Sequence, residues 1–478
     1  MRITRISFQG LLNQFDYSFD LREKIPICII HGANGSGKTT ILRMINALLK
    51  MKTDYLATVP FRSVKLEFEK DMFIEARVEN YNRNVKDDFD IPPSKLIRLA
   101  AKLNGKPNNC TVPFFAKEKE LYERLDHVRD RLMAARNHLT DLSGPTLDRM
   151  ERERAFLSKR INELRLRRSS HPSADSEKNE IRYLEFVEWF KTATAHINTH
   201  FIGADRLHEF DDLGEEYQQR DDWRSERRSE FTTSTIYNCS SQIKAYIDSR
   251  RSDYAQFSQE IDRTFPLRLM ERMKSMKTDS PEFIERELEQ LSVKRKELVS
   301  AGLLDTTSDT RIMPDDVVDN YILRVLSLYI GDNKQKLAFF DDSWSRIASF
   351  LELTNRRFVR KRLEIDRKEG IICRLDDGQL LSLERLSSGE QHEIVMNYLL
   401  LFRAEQDSII LLDEPEISLH IAWQHDFLLD LEKALGITGA QCILATHSPD
   451  IINGRWEITT ALEQGDSNND EHETFHQR

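Results

Sequence analysis

The chain has 478 residues, of which 39% are apolar and 31% are charged, and its formal net charge is −10. This length predicts about two to four domains. An acidic chain is not attracted to nucleic acid as a whole, so a DNA contact would require a local basic patch.

Cysteine usage and hydropathy argue against two further classes of protein. The five cysteines are scattered and show no CxxC pair, so we expect neither a disulfide framework nor a zinc site. A reduced, cytoplasmic chain is the simplest interpretation. The N-terminus does not resemble a signal peptide, and no run approaches the roughly 18 apolar residues of a membrane helix. We therefore expect no membrane association.

The first 110 residues are predicted to form the N-terminal lobe of a mixed α/β head. Strands are expected where apolar residues alternate, and the continuously apolar run Pro26–Ile30 is typical of a strand buried on both faces. Helical spacing predicts a helix over Ile41–Leu49. The other predicted strands are Arg2–Phe8, Phe15–Leu21, Ser63–Phe68 and Met72–Val78, the last two forming a hairpin.

Residues 111–355 are predicted to be a helical insertion. Apolar residues between 117 and 142 follow an a/d heptad pattern, a Ser-Gly-Pro turn follows, and a second helix runs to 168. This pattern predicts a short antiparallel coiled-coil hairpin whose first helix spans about 39 Å. A helical hairpin packed within the protein is the open alternative. Residues 211–228 are predicted to be an exposed loop. Further helices are predicted at Lys178–Thr199, Pro281–Ser300, Asp315–Tyr329 and Lys336–Asn355.

Residues 356–460 are predicted to form the C-terminal lobe of the same head. Its strands are predicted at Arg362–Asp366, Gly370–Leu375, Leu380–Leu383, Ile409–Leu412 and Cys442–Leu444. The polar segment 461–478 is predicted to be a disordered tail.

A phosphate-binding loop is predicted between His31 and Thr40. The segment contains the pattern G-x-x-x-x-G-K-[ST], follows an apolar strand and opens a helix, which is the context that the motif requires. Glycines allow backbone N–H groups to surround phosphates, and the helix N-terminus favours an anion. Lys38 would reach the β- and γ-phosphates of ATP, and the Thr39 hydroxyl would bind Mg²⁺. The candidate nucleotide-binding residues are Gly32, Asn34, Gly35, Ser36, Gly37, Lys38, Thr39 and Thr40.

Two carboxylates end the buried strand Ile409–Leu412. Asp413 is suited to the Mg²⁺ shell, and Glu414 is suited to polarise the attacking water. An ordinary core strand with acidic residues at its exposed end is the alternative, which the presence of the phosphate-binding loop disfavours.

Two further segments carry candidate residues. Ser387, Ser388, Gly389 and Glu390 precede a helical run, so their free N–H groups could face an anion, although an ordinary helix cap would look similar. His447 follows the strand Cys442–Leu444. A single histidine is usually structural.

The order of these four elements closely resembles the ABC ATPase superfamily. The resemblance implies an α/β head formed from both chain ends, with the helical insertion between them. Leu386–Glu390 matches the signature motif, with Ser388 in place of its usual first glycine. Asp413 and Glu414 match the Walker B pair, and His447 matches the histidine that senses the γ-phosphate. In this family two heads enclose ATP between a phosphate-binding loop and the other head's signature motif, which implies a dimer or higher oligomer.

Departures from the transporter pattern narrow the resemblance. The run Pro415–His420 looks like the overcoming-lysogenization-defect, RecF and SMC-like branch, and Phe201–Arg206 resembles a strand-plus-arginine element of that branch. No glutamine lies between Lys38 and Tyr217, so the glutamine that usually contacts the metal is not identified.

The chain resembles the PtuA ATPases of Septu and retron-linked anti-phage systems. Only 31 residues follow His447, too few for the metal-binding Toprim domain of the related nucleases. His196 and His200, on a predicted helix, offer two ligands at best, so we expect no nuclease site. PtuA proteins work with a separate HNH nuclease, PtuB, which the resemblance implies as a partner. Two basic groups, Arg165, Arg167 and Arg168 and then Arg224, Arg227 and Arg228, could contact a phosphate backbone, but their interleaving with acidic residues favours solvated helix faces. Nucleic acid is therefore expected as a partner only through the complex. A RecF-like or SMC-like DNA-repair ATPase that binds DNA directly is the alternative.

Overall fold

The structure is a computed structural model that describes residues 2–21, 25–79, 95–114, 174–195, 197–203, 228–274, 279–305 and 319–462. Three predicted features lie outside these residues. They are the coiled-coil hairpin at 117–168, the loop at 211–228 except its last residue, and the tail beyond 462.

A six-stranded antiparallel sheet forms the N-terminal part of the fold. Its strands are β1 (Ile3–Leu11), β2 (Phe15–Asp20), β4 (Ser63–Phe68), β5 (Met72–Glu79), β6 (Lys95–Leu103) and β7 (Lys106–Phe114), in the order β2-β1-β4-β5-β6-β7. The hairpin predicted for β4 and β5 is confirmed, with Val64 opposite Ala76. Strands β6 and β7 were not predicted, and β7 extends beyond the expected boundary at residue 110.

A five-stranded parallel sheet joins the two ends of the chain. It contains β3 (Ile27–His31), β8 (Thr199–Ile202), β12 (Ile409–Asp413), β13 (Gln441–Thr446) and β14 (Thr459–Ala461), in the order β14-β3-β13-β12-β8. Ile443 pairs with Cys28 in parallel register. The Gln441 side chain also accepts a hydrogen bond from Ile3 N at 2.8 Å and donates one to Ile3 O at 3.1 Å. The α/β head formed from both chain ends is therefore confirmed.

Helices cover the parallel sheet, and a small antiparallel sheet accompanies them. The sheet, in the order β11-β10-β9, contains β9 (Lys361–Asp366), β10 (Gly370–Leu375) and β11 (Leu380–Leu381). The helices are α1 (Lys38–Leu49), α2 (Thr53–Thr58), α3 (Ala174–Thr194), α4 (Arg228–Lys274), α5 (Pro281–Ser300), α6 (Asn320–Ala338), α7 (Asp341–Asn355), α8 (Ser388–Tyr398), α9 (Ile421–Gln424), α10 (Phe427–Thr438) and α11 (Pro449–Ile452).

Two apolar cores lie on opposite faces of the parallel sheet. Along β12, Ile409 and Leu411 face the core shared with the antiparallel sheet and α1, whereas Ile410 and Leu412 face the core shared with the helical region. Successive side chains of a strand point to opposite faces, so a strand covered on both sides must be apolar throughout. This burial explains why β12 and β13 read as continuous apolar runs, and it fixes the strand ends from which the candidate residues project.

Two expectations for the insertion were wrong. The helix predicted over Lys178–Thr199 ends at Thr194, and His200 lies on β8, which pairs in parallel with β12 as the edge of the parallel sheet. Part of the predicted helical insertion therefore belongs to the head's sheet. Helix α4, of 47 residues, was not predicted and contains Pro266. Only one narrow stripe of this helix is buried, so few of its residues are apolar. The helical spacing was therefore not evident in the sequence.

Candidate nucleotide-binding site

The loop between β3 and α1 has the backbone geometry of an anion cradle. Gly35 and Gly37 have φ angles of 83° and 88°, a left-handed conformation that glycine adopts without steric cost. Gly37 is the N-cap of α1, so the first N–H groups of that helix face the loop. A Cβ atom built on Gly35 would meet nothing within 4 Å. The loop is therefore open at Gly35.

Two buried features support this assignment. A Cβ atom on Gly32 would lie 2.9 Å from the carbonyl oxygen of Leu462, so the close approach of two backbone segments requires glycine there. Ser36 Oγ is buried and makes no hydrogen bond within the described part of the chain. An unsatisfied buried hydroxyl is costly, which fits a group that a ligand satisfies. Asn34 is exposed, and Thr40 lies in the first turn of α1.

Lys38 lies at the start of α1 and is 4% exposed. Its ammonium group donates hydrogen bonds to the carbonyl oxygens of Gly32 at 3.0 Å and Ala33 at 3.1 Å. Burial lowers the pKa of the Lys38 ammonium, and the carboxylates of Glu414, Asp413 and Glu416 oppose that shift. The cation is thus held against the loop, close to three carboxylates.

Thr39 and Asp413 meet although 374 positions separate them in the sequence. Thr39 Oγ1 donates a hydrogen bond to Asp413 Oδ1 at 3.2 Å, and Asp413 is buried at the end of β12. Magnesium prefers oxygen ligands and is usually bound by one or two carboxylates together with substrate phosphates. This pair of oxygen atoms beside the phosphate cradle fits the predicted Mg²⁺ ligands.

Glu414 adopts a left-handed backbone conformation, with φ 46° and ψ 58°. Such a conformation costs free energy in a non-glycine residue and is common where function requires it. Its N–H donates to Ala445 O at 2.9 Å, which ties the ends of β12 and β13 together. Glu414 Oε1 lies 3.6 Å from His447 Nε2, so the two predicted catalytic side chains are neighbours.

Sequence reasoning missed two residues that hold the His447 loop. Glu416 Oε1 accepts a hydrogen bond from His447 N at 2.7 Å, and Gln424 Oε1 accepts one from Ser448 Oγ at 2.7 Å. Glu416 was noted in the sequence only as a departure from the transporter pattern. No motif distinguishes Gln424.

A ring contact between His31, at the start of the loop, and Trp456, near the end of the described chain, was also missed. The rings of His31 and Trp456 are 5.4 Å apart in an edge-to-face arrangement, and Trp456 is exposed. Burial and the charge of Lys38 lower the pKa of His31.

The signature-like segment has a different setting from the phosphate-binding loop. Ser387 caps α8, with its hydroxyl accepting from Glu390 N at 3.4 Å while Glu390 Oε2 accepts from Ser387 N at 2.9 Å. Lys361 Nζ also donates to Glu390 Oε2 at 2.9 Å. Ser387 and Ser388 are exposed, and Gly389 is half-buried. These hydrogen bonds join the segment to its own helix and to β9.

The described residues contain no group of three or more His, Cys, Asp or Glu side chains placed to hold a metal ion. This is compatible with a magnesium site of the kind above, in which one hydroxyl and one carboxylate would be completed by phosphate and water. Among the described helices, none is long and apolar enough to cross a membrane.

Comparisons with known proteins give one family and several solved structures. The family model described as an AAA ATPase domain matches residues 1–452. The Smc head domain of Pyrococcus furiosus, with an extended coiled coil and bound to the C-terminal domain of ScpA, is 12% identical with a TM-score of 0.32, over 94% of this chain and 90% of that chain. A Smc head bound to the C-winged helix domain of ScpA is 11% identical with a TM-score of 0.34, over 95% and 91%.

A Smc head domain with a coiled coil and joint from Pyrococcus yayanosii is 13% identical with a TM-score of 0.27, over 94% of this chain and 93% of that chain. The family match spans both lobes and every candidate residue of the nucleotide site. The chain belongs to the AAA ATPase domain family.

Proposed function

We propose that this chain binds ATP with Mg²⁺ and hydrolyses it at the site between β3, β12 and β13. The observation that carries the proposal is the convergence of Lys38, the Thr39–Asp413 pair and the Glu414–His447 pair at one edge of the parallel sheet. The loop donors and Lys38 bind the phosphates, and Thr39 with Asp413 holds the metal. Bound Mg²⁺ neutralises part of the phosphate charge.

Glu414 and His447 act on the reacting end of the nucleotide. The Glu414 carboxylate orients and polarises the attacking water, which is the role that its position after a Walker B strand supports. His447, 3.6 Å away, contacts the γ-phosphate and reports its presence to the loop after β13. Both side chains depend on the ends of adjacent strands, so their separation is set by the sheet.

We infer that two heads pair around the nucleotide. Ser387, Ser388, Gly389 and Glu390 surround the N-terminus of α8, and the first two are exposed. Free N–H groups at a helix N-terminus attract anions. These residues would face the phosphates bound by a second copy of the chain, which supports the dimer or higher oligomer implied by the resemblance.

We further infer that the chain is the regulatory subunit of an anti-phage defence complex, as the likeness to PtuA of Septu and retron-linked systems implies. The nucleotide state of the paired heads would control a separate HNH nuclease. The order of the motifs supports an ABC-type ATPase, and the run Pro415–His420 supports the branch that includes overcoming-lysogenization-defect, RecF and SMC-like proteins. The assignment to PtuA rests on the overall arrangement, in which two head regions flank a short helical insertion. We also retain the division into lobes 1–110 and 356–460, insertion 111–355 and tail 461–478 as a proposal, with β8 added to the head.

The proposed function is tested by purifying the chain together with the products of its neighbouring genes. We expect an HNH protein to co-elute, DNA cleavage by the complex to change with ATP, and Lys38→Ala to remove that response. Wild-type chain that fails to bind or hydrolyse ATP would contradict the ATPase proposal. An active ATPase without an HNH partner, showing tight and salt-sensitive DNA binding, would instead favour the RecF-like or SMC-like alternative.

A further inference from the structure

The loop that carries His447 is anchored to the loop that follows Glu414. Glu416 Oε1 accepts a hydrogen bond from the backbone N–H of His447 at 2.7 Å. One residue later, the Ser448 hydroxyl donates to Gln424 Oε1 at 2.7 Å. Two consecutive residues of the His447 loop are therefore held by side chains from the segment after β12.

Gln424 also stabilises the segment from which Glu416 projects. Its side-chain amide donates to the carbonyl oxygens of Leu419 at 3.3 Å and Glu416 at 3.4 Å. A single glutamine thus bonds both loops, using its oxygen for one and its nitrogen for the other. The two loops form one hydrogen-bonded unit, in addition to the backbone bond from Glu414 N to Ala445 O.

Within the described residues, only one oxygen atom of the Glu416 carboxylate makes a hydrogen bond. Its Oε1 holds His447, whereas Oε2 is buried and makes no hydrogen bond within the described residues. The carboxylate is also one of three that oppose the lowering of the Lys38 pKa by burial. A buried carboxylate oxygen without a donor is costly, which favours a role for Glu416 in the site itself rather than in stability.

We propose that Glu416 and Gln424 are positioning residues that hold His447 against Glu414 for ATP hydrolysis. This inference rests on the proposed function. Neither side chain needs to contact the reacting atoms. Glu416 fixes the backbone at His447, Gln424 fixes the next residue, and together they set the 3.6 Å separation of the catalytic pair.

The expected effect is on turnover, because hydrolysis depends on precise placement. A displacement of about 1 Å at a catalytic group can lower a rate by about 10²-fold. The hydrogen bonds of Glu416 and Gln424 described above, by contrast, lie outside the loop before α1 that forms the phosphate cradle. Loss of an anchor should therefore lower kcat much more than it raises KM.

The test is a set of variants assayed for steady-state ATP hydrolysis. Glu416→Ala and Gln424→Ala should each lower kcat by about tenfold or more, with KM changed by less than about twofold. Glu416→Gln should recover most of the turnover, because its amide oxygen accepts the same hydrogen bond from His447. The matched control is Glu405→Ala, which removes an exposed glutamate before the opposite end of β12 and should behave as wild type.

A double-mutant cycle strengthens the test. Because both side chains hold one loop, Glu416→Ala combined with Gln424→Ala should lower kcat by less than the product of the two single effects. Unchanged kcat in both alanine variants, or equal losses in Glu416→Gln and Glu416→Ala together with fully multiplicative effects, would overturn the proposal. Absence of turnover in the wild type would reject the proposed function as well, whereas normal wild-type turnover with unaffected variants rejects the positioning role alone. If Glu416→Ala does not fold, Gln424→Ala, which changes a half-buried residue, decides between these outcomes.

Discussion

The phosphate-binding region and the signature-like segment differ in how their polar side chains are hydrogen-bonded. At the phosphate-binding end, Thr39 and Asp413 meet across 374 positions, and Glu414 and His447 come from adjacent strands. At the signature-like end, Ser387 and Glu390 satisfy each other within one helix turn and leave Ser387 exposed. The first region is assembled inside one chain. The second is complete as a helix cap with Ser387 and Ser388 exposed, which supports the proposal that these residues face a second copy of the chain.

The largest effect is expected from variants that separate these two regions. Lys38→Ala removes the ammonium group that we propose to contact phosphate. Ser387→Asp keeps a good helix cap but places a negative charge where phosphate would lie under the same proposal. Each variant alone should lose nearly all hydrolysis. Mixed in equal amounts, the two should regain about a quarter of wild-type turnover, since half of the dimers would hold one intact site.

The control for this experiment is each variant mixed with itself at the same total concentration. Circular dichroism and thermal unfolding should show both variants folded, because the cap at α8 is preserved. A mixture that remains as inactive as its components would contradict sites shared between two copies, while leaving the phosphate-binding end untouched.

A buried ion-pair network links the helix of the signature-like end to the helix that follows Walker B. Arg357 is buried and pairs with Glu393 of α8 and Asp430 of α10. Removing one partner of a buried pair costs about 3–5 kcal/mol, because the remaining charge is left unpaired. Arg357→Ala should therefore lower the free energy of unfolding by about that amount, as measured by urea denaturation.

Arg356 provides the matched comparison for Arg357. It also pairs with Asp430, but its side chain is 46% exposed. Exposed pairs contribute about 0–1 kcal/mol, so Arg356→Ala should be much milder. Equal destabilisation by the two variants would show that burial of the network does not determine its contribution.

A smaller effect is expected at Gly37, where the phosphate-binding loop enters α1. Its φ of 88° is unfavourable for any residue with a Cβ atom, and the cost is about 1–2 kcal/mol. Gly37→Ala should lower the unfolding free energy by that amount in a thermal or urea experiment. Gly436→Ala is the control, because Gly436 lies within α10 and a Cβ there meets no neighbour. That control should be neutral or slightly stabilising.

The smallest effect is expected for the loss of folding stability at low pH. Glu390 is desolvated by burial, but the hydrogen bonds from Lys361 and Ser387 outweigh this and lower its pKa. A carboxylate with a lowered folded-state pKa stabilises the fold above its unfolded pKa and loses that contribution as pH falls through the folded value. Stability should therefore fall on acidification below about pH 4.5, and the fall should be shallower in Lys361→Met. If stability depends on pH in the same way in Lys361→Met and in the wild type, the Lys361–Glu390 ion pair does not contribute to the loss of stability in acid.

Sequence alone predicted the elements whose local pattern encodes backbone geometry. The glycine spacing before Lys38 and the apolar run before Asp413 placed β3, α1 and β12 because those patterns are tied to one conformation. The sequence contains a turn signal between β6 and β7 that was not recognised. Asn104 and Gly105 both have positive φ, as the Asn-Gly hairpin turn requires.

Other features could not be read from a single sequence. His200 was expected on a helix, whereas it lies on a strand of only four residues whose pairing with β12 depends on a segment more than 200 positions away. Glu416 and Gln424 act on the His447 loop only because β12 and β13 are neighbours in the sheet. Such roles depend on long-range pairing, which no local pattern records.

The most direct measurement is ATP binding and ATP hydrolysis by Glu414→Gln in the same preparation. The phosphate cradle and the Thr39–Asp413 pair do not involve this carboxylate, so the variant should bind ATP as the wild type does. Hydrolysis should fall by about 10²-fold or more, since the amide cannot polarise the attacking water. Wild-type turnover in Glu414→Gln would contradict the account.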